Sequence, residues 1–260
     1  MSGDVEDPMA AEFGIVAQWT AEVASGLGQD HTVPAACRGS GQPAVLDWLI
    51  ASLDPAPGAL LVDVGAGLGG PAAYAAARAG VRPLLLESEH AACRAAVGLF
   101  GLPTMRADAT ALPVADGQAD MAWSLGVLCT LPNRAAQLAM LRELRRIVRP
   151  GGPIGLLVYL AAQLPLEEPP EGNRFPSSGD LDALVHGAGL EVVRGADAHR
   201  MSAPPPRWRQ RAEAVEQELH RRFSATPQLR TADEQSGRIG KLLESGQLAR
   251  QVLVLRGGGG

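Results

Sequence analysis

The sequence has little of what several common classes of protein require. Of its 260 residues only Lys241 is a lysine, and the net charge is −5 with a pI near 5.6. Nucleic-acid-binding proteins usually carry a basic excess or a basic stripe, which this composition lacks. We therefore expect no nucleic-acid partner.

Cysteines and long apolar runs are also scarce. Cys37, Cys93 and Cys129 are odd in number and show no CxxC spacing, which argues against a disulfide framework and against a cysteine zinc site. The first ten residues, MSGDVEDPMA, lack the basic and apolar regions of a signal peptide. No apolar run reaches the ~18 residues of a membrane helix. We expect a soluble, cytoplasmic protein without a bound metal or a membrane partner.

The remaining pattern predicts one α/β domain, and the length allows one substantial core. Apolar strands alternate with helices over residues 44–256, after a leader at 1–43 and before a flexible tail at 257–260. Two helical stretches within 201–246 separate the sixth strand from the last one, and we interpret them as a lid. We expect the leader to cover the carboxyl ends of the strands, where ligands bind in open α/β sheets.

Several local details follow from the same pattern. The leader is predicted to contain a helix from Met9 to about Ser25 and an irregular stretch at 29–41. Ser178 is a candidate cap for the helix before the sixth strand, because a serine oxygen can accept a free backbone N–H. The second lid helix is predicted to begin at Thr231.

The segment LLVDVGAGLGG, Leu60 to Gly70, is the centre of the prediction. Its short apolar run is typical of a buried parallel strand. Gly65, Gly67, Gly69 and Gly70 then allow a sharp turn and a close backbone approach to a ligand, and Pro71 suits the start of a helix. This pattern predicts a nucleotide-binding turn. It also satisfies GxGxxG, so a nicotinamide cofactor remains an alternative at this point.

Two acids downstream are candidates for binding an adenosine. Glu87 ends the next strand, where its carboxylate can accept hydrogen bonds from both ribose hydroxyls. Asp108 ends the third strand and can accept the adenine amino group, while the Ala109 N–H addresses the ring. The alternatives are a surface glutamate that starts a helix and an aspartate that caps a helical turn.

In this order the pieces resemble class I S-adenosylmethionine-dependent methyltransferases, of the small-molecule type related to ubiquinone and menaquinone methyltransferases. The segments concerned are VDVGAGLGG, Glu87, RADATALPVADGQADMAWSLGVLCTLPN and LRELRRIVRPGG. The resemblance implies a Rossmann-like sheet of seven strands, mostly parallel, with helices on both faces and an antiparallel last strand. It implies S-adenosylmethionine as cofactor, bound by these residues: Asp63, Gly65, Ala66, Gly67, Glu87, Ser88, Asp108, Ala109, Ser124 and Leu125.

Within that set, Asp63, Gly65 and Gly67 would hold the methionine amino end, and Ser124 and Leu125 would line the methionine side. Arg38 is a candidate partner for the methionine carboxylate. His31 and His199 are weak candidates for a general base, since both segments are expected to overhang the pocket. No other catalytic residue is indicated.

The expected reaction is methyl transfer to O, N, S or C of a small, apolar or aromatic acceptor. A short-chain dehydrogenase would need a tyrosine four residues before a lysine, but Gly237 holds that position before Lys241. An NAD(P)-dependent oxidoreductase and a non-catalytic S-adenosylmethionine-binding protein are the alternatives. The oligomeric state is not indicated by the sequence.

Overall fold

The computed structural model of the protein describes residues 8–37, 39 and 41–258, which are built around one seven-stranded sheet. The strands in chain order are β1 (Leu60–Val64), β2 (Arg82–Glu87), β3 (Thr104–Arg106), β4 (Met121–Leu125), β5 (Ile154–Ala161), β6 (Leu190–Asp197) and β7 (Leu248–Gly257). Their order is β3-β2-β1-β4-β5-β7-β6, with β7 antiparallel to both neighbours and the other pairs parallel. The predicted sheet, including its antiparallel last strand, is confirmed.

Helices cover both faces of the sheet, and three of them precede the first strand. They are α1 (Pro8–Leu27), α2 (Gln29–Ala36), α3 (Pro43–Leu53), α4 (Gly70–Ala79), α5 (His90–Phe100), α6 (Arg134–Ile147), α7 (Ser178–Gly187), α8 (Pro206–Phe223) and α9 (Pro227–Glu244). Short 3₁₀ helices lie at Leu128–Thr130 and Ala198–Arg200. None of the helices in the described ranges is long and apolar enough to cross a membrane.

The core has two halves because side chains alternate along each strand. On β1, Val62 and Val64 pack with α6 and α7, whereas Leu61 packs with α3 and α4 on the opposite face. Trp123 of β4 lies in the second half and is fully buried. Burial on both faces explains why these strands read as continuous apolar runs.

Helices α1 and α2 of the leader pack against α8 of the lid. The rings of Trp19 and Phe223 stack with their centroids 4.3 Å apart and nearly parallel planes. Arg222 pairs with Glu22 at 3.3 Å, and Arg211 pairs with Asp30. The lid is therefore attached to the leader as well as to the sheet.

Three local predictions are wrong. Residues 29–36 of the segment expected to be irregular form α2, because its buried face, including Pro34, packs on neighbouring helices. The cap of α7 is Ser177 rather than Ser178: its hydroxyl accepts the Asp180 N–H, and the Asp180 carboxylate bonds back to Ser177.

The last wrong prediction concerns α9, which begins at Pro227 rather than Thr231. Thr226 caps it, and a proline is well tolerated in a first helical turn. At the carboxyl terminus β7 continues to Gly257, and the Gly258 N–H donates to Gly189 O at 3.0 Å. Residues 1–7, Arg38, Ser40 and residues 259–260 lie outside the described residues.

Candidate active site

The glycine turn closes tightly against three neighbouring segments. Gly65 has φ +72°, and its N–H donates to Leu86 O at 2.8 Å. A Cβ at Gly65 would lie 2.3 Å from Val127 Cγ2, and one at Gly70 would lie 2.5 Å from the carbonyl carbon of Ala36. Glycine is thus required here for its backbone angle and for its small size.

Asp63 is a buried acid directly before this turn. Its side chain is 1% exposed, and its Oδ2 has no hydrogen-bond partner among the described residues. Burial raises the pKa of Asp63 to about 7; the neighbouring Trp123 indole opposes the rise and the charge of Glu87 adds to it. Asp63 and Trp123 are paired in register on neighbouring strands. Trp123 Nε1, like Asp63 Oδ2, makes no hydrogen bond within the described residues. An unpaired buried carboxyl of this kind is suited to a cationic ligand.

Glu87 holds its carboxylate against the same turn. Its Oε2 accepts the Gly67 N–H at 2.8 Å, and its Oε1 accepts the Glu89 N–H at 3.0 Å. The Ser88 hydroxyl donates to Oε1 at 3.2 Å. The carboxylate is therefore fixed at the end of β2, as the sequence predicts, and it is buried rather than on the surface.

Asp108 and Ala109 follow β3 at the neighbouring position of the same edge. Asp108 Oδ1 accepts the N–H and the hydroxyl of Thr110, at 2.7 and 2.8 Å. This is the turn-capping arrangement that the sequence offers as the alternative. The side chain is exposed, and its Oδ2 makes no hydrogen bond within the described residues. One oxygen is thus free for a further donor.

Ser124 and Leu125 lie at the end of β4 but are turned into the core. The Ser124 hydroxyl donates to Val64 O at 2.9 Å and is 2% exposed. Leu125 is 4% exposed and packs with Leu61 and Trp123. Ser124 thus joins β4 to β1 rather than offering its hydroxyl to a ligand.

The two histidine candidates occupy different surroundings. His31 lies in α2, half-buried, with its Nδ1 buried and without a partner. His199 is exposed in the 3₁₀ helix after β6, and its N–H donates to Asp197 Oδ1. In the described part of the chain neither imidazole hydrogen-bonds to the glycine turn, to Asp63 or to Glu87.

The leader is expected to cover this edge of the sheet, and three of its residues that the sequence did not indicate as site residues lie beside the site. The peptide between Ala36 and Cys37 lies against Gly70. Burial raises the pKa of the Cys37 thiol and the charge of Asp63 adds to this, which places Cys37 near that acid. Phe13 Cζ would be 3.7 Å from a Cβ at Gly67.

These residues fit the amino and ribose ends of S-adenosylmethionine. The buried carboxyl oxygen of Asp63 has no other partner, and it suits a primary ammonium. Gly65 has no room for a side chain and Gly67 has φ +54°, which favours glycine, so the backbone of the turn is left to face a ligand. Glu87 ends β2, and Asp108 follows the end of β3 by two residues at the same edge of the sheet. The donor and acceptor types therefore match the group that the resemblance implies.

Comparison with known proteins agrees with this geometry. Residues 62–156 match a family model described as a methyltransferase domain. A solved structure of the [4+2]-cyclase SpnF is similar, with 20% identity, a TM-score of 0.65 and coverage of 83% of this chain and 80% of that one. So is a SAM-dependent methyltransferase from Geobacter sulfurreducens in complex with S-adenosyl-L-homocysteine, with 19% identity, a TM-score of 0.57 and coverage of 83% and 91%.

A third similar structure is the geranyl diphosphate C-methyltransferase from Streptomyces coelicolor A3(2). It shares 14% identity, gives a TM-score of 0.58 and covers 82% of this chain and 74% of that one. Identities this low show the fold, and the family model identifies the domain. The chain thus contains a methyltransferase domain at residues 62–156, within the class I S-adenosylmethionine-dependent methyltransferase fold.

Proposed function

We propose that the protein transfers a methyl group from S-adenosylmethionine to a small acceptor that is largely apolar or aromatic. The observation that carries the proposal is the buried carboxyl of Asp63, whose Oδ2 has no hydrogen-bond partner among the described residues, beside a glycine turn that Glu87 also contacts. A buried acid can bind a cation, and a carboxylate at a strand end can bind a vicinal diol. S-adenosylmethionine carries both groups in one molecule.

Each end of the cofactor has residues assigned to it in this proposal. Asp63 binds the methionine ammonium, together with the turn formed by Gly65, Ala66 and Gly67. Glu87 accepts the ribose hydroxyls and is held in place by Ser88. Asp108 Oδ2 accepts the adenine amino group, and the Ala109 N–H faces the ring. The bound cofactor supplies a methyl group activated by the adjacent positive sulfur.

The main task of this chain is then alignment of the two reactants. Fixing them in a reactive geometry accounts for ~7–11 kcal/mol of barrier lowering. A general base typically contributes 10²–10⁴-fold, or about 3–5 kcal/mol. Alignment lowers the barrier by more than a base would, so the reaction does not depend on His31 or His199 acting as a base.

The surroundings of Tyr159 support an apolar acceptor. A small apolar cluster lies near the end of β5, where the last turn of α9 leads into β7. It contains these buried residues: Cys129, Tyr159, Ala161, Phe175, Leu242 and Leu248. Burial raises the pKa of the Cys129 thiol to about 11, so this cysteine remains a neutral apolar group. A molecule bound against this cluster would gain mainly from apolar burial.

Two cavities differ in their relation to this site. One of about 580 Å³ lies at the amino ends of β4 and β5, lined by Gly117, Pro150 and Gly152, which is the wrong edge of the sheet for a ligand of this fold. Another, of about 260 Å³, lies between α2 and α8 and reaches Cys37. We assign the second as the route by which a small molecule approaches the glycine turn.

Binding is the first test. Calorimetric titration with S-adenosylhomocysteine and, separately, with NADH should give the tighter dissociation constant for S-adenosylhomocysteine. Tighter binding of NADH would replace the proposal with a nicotinamide oxidoreductase. Binding of neither would remove the cofactor assignment altogether.

Transfer is the second test, because a fold shared with a protein named as a cyclase does not by itself fix the reaction. Protein loaded with methyl-labelled S-adenosylmethionine is incubated with extracts of small molecules, and label is followed into products below about 1 kDa. The Asp63→Asn variant serves as the matched control. Cofactor binding with no transfer into chemically varied extracts would instead indicate a non-catalytic binding protein.

A further inference from the structure

At the carboxyl end of β5 an arginine stands next to a buried tyrosine. Tyr159 of β5 and Arg250 of β7 are paired in register across the antiparallel ladder, so their side chains lie on the same face. The Tyr159 hydroxyl donates to Gly39 O at 3.3 Å. Burial raises the pKa of Tyr159 and the charge of Arg250 opposes this, which places the guanidinium close to the phenol.

The guanidinium has a donor that no described residue uses. Arg250 is half-buried, and its Nε is fully buried without a hydrogen-bond partner. Burying such a donor unpaired is unfavourable, and removing a charged group from water more so. The side chain as a whole is only half-buried, and an anion that accepts from the guanidinium would compensate its charge.

No acid in the described ranges neutralises Arg250. The nearest acid on the adjoining strand β6 is Asp197, which is paired in register with Gln251 rather than with Arg250. Its carboxylate already accepts the His199 N–H and pairs with Arg200 at 3.5 Å. Arg250 therefore offers an uncompensated positive charge at this edge.

The position of Arg250 separates it from the cofactor's amino end. Asp63 is level with Trp123 of β4, which is level with Gly155 of β5. Tyr159 and Arg250 stand four residues further along, or ~13 Å at about 3.3 Å per residue. Arg250 is also three strands from Asp63, or ~14 Å at about 4.8 Å per strand. One methionine end cannot contact both residues.

We propose that Arg250, with Tyr159 beside it, binds an anionic group of the acceptor, so that the acceptor is a small acid with an apolar or aromatic body. The charge comes from Arg250, and the apolar surroundings come from the cluster that includes Phe175 and Leu248. An arginine is suited to a carboxylate because its planar fork donates two parallel hydrogen bonds. This inference rests on the proposed methyl transfer and adds the substrate class to it.

The experiment compares acids with their neutral amides on protein saturated with S-adenosylhomocysteine. The probes are benzoate with benzamide, 3-phenylpropionate with 3-phenylpropanamide, and octanoate with octanamide, titrated by calorimetry or ligand-observed NMR. At least one acid should bind ten times more tightly than its amide. This comparison needs no variant, so it remains decisive if a substitution disturbs folding.

Variants then locate the preference. Arg250→Met should remove the tenfold preference for the acid, and Arg250→Lys should retain part of it. Arg256→Met is the matched control, because Arg256 lies on the same strand at the other edge and bonds to Gly151 O. Its preference for the acid should equal that of the wild type.

The outcomes separate the two proposals. If S-adenosylhomocysteine does not bind, the proposed function fails. If it binds but no acid binds better than its amide, only the anion site is overturned. An acid preference that persists in Arg250→Met, with Arg256→Met unchanged, also overturns it.

Discussion

The two halves of the carboxyl edge of the sheet consist of different types of residue. Around β1, β2 and β3 the site consists of a glycine turn and acids within 49 residues of sequence, Leu60 to Asp108. Around β5 and β7 it consists of Tyr159 and Arg250, 91 positions apart, with apolar residues from the loops and α9. The first half is local in sequence and the second is assembled by topology. We assign the cofactor, which many enzymes share, to the first half and the acceptor to the second.

The largest expected effect on cofactor binding comes from filling the glycine turn. In Gly65→Ala the new Cβ would lie 2.3 Å from Val127 Cγ2 at φ +72°, and S-adenosylhomocysteine should bind more than ~100-fold more weakly, or about 2.8 kcal/mol. Gly58→Ala is the control, since φ is +79° there with open space around it. It should lose ~1–2 kcal/mol of unfolding free energy through backbone strain and keep its affinity. If the Gly65→Ala variant folds and binds S-adenosylhomocysteine as tightly as the wild type, the tight turn is not needed for binding.

A smaller loss is expected at the ribose end. Glu87→Gln removes a charge that holds the Gly67 N–H at 2.8 Å, and charge-assisted hydrogen bonds contribute ~1.5–3 kcal/mol. Calorimetry should show binding of S-adenosylhomocysteine weakened ~10- to 100-fold. Glu191→Gln, on the exposed part of β6, should leave affinity unchanged. An equal effect of both changes would mean that Glu87 has no direct part in binding.

The next effect is a pH dependence of cofactor affinity. Asp63 has its pKa raised to about 7 in the unliganded protein, and only its ionised form attracts an ammonium. Binding of S-adenosylhomocysteine should therefore be about tenfold weaker at pH 6 than at pH 8, with release of a proton at the lower pH. Asp63→Asn should flatten the profile. A wild-type affinity that stays constant between pH 6 and 8 would contradict this role.

The same acid affects stability with a definite sign. A carboxyl with a folded-state pKa above its unfolded value near 3.8 stabilises the fold fully at low pH, and this contribution is lost as the pH rises through about 7. The difference is on the order of 4 kcal/mol for three pKa units. Urea unfolding of the unliganded protein should thus show a decline in stability from pH 4 to 7 that is absent in Asp63→Asn.

The smallest effect is expected away from both halves. Ser177→Ala removes the capping box of α7, in which Ser177 and Asp180 bond to each other. It should lower the free energy of unfolding by ~1 kcal/mol, the usual loss for such a cap. Binding of S-adenosylhomocysteine should not change, since α7 packs under the opposite face of the sheet from Asp63. Weaker cofactor binding would show that the two faces are coupled.

The contrast between the halves also explains which features the sequence could predict. The strand at Leu60, the glycine turn and Glu87 follow from spacing and residue type over short distances, and the structure has the strands where the pattern predicts them. Asp63 Oδ2 lacks a hydrogen-bond partner because Trp123 and Cys37 pack around it. The spacing of residues in the sequence does not reveal this packing. For Ser124, expected to line the methionine side, the structure instead has the hydroxyl donating to Val64 O, a direction that spacing does not reveal.

Arg250 and α2 were missed for physical reasons. An arginine in a predicted strand is usually interpreted as a surface residue. Arg250 lies beside Tyr159 only because β5 and β7 pair in antiparallel register. In α2 the polar start and Pro34 are typical of a loop, but burial against α1, α4 and α8 outweighs that local preference. Such contacts join residues far apart in the chain, so no window of sequence contains them.

The peptide joining Ala36 and Cys37 has a kinetic consequence. It rests on Gly70, and the nearby Asp63 is 1% exposed, so we expect a molecule bound at Asp63 to exchange with solvent more readily when this segment moves. Helix α2 is joined through Asp30 to Arg211 of α8. We therefore expect the residence time of S-adenosylhomocysteine to depend on how often α2 separates from α8.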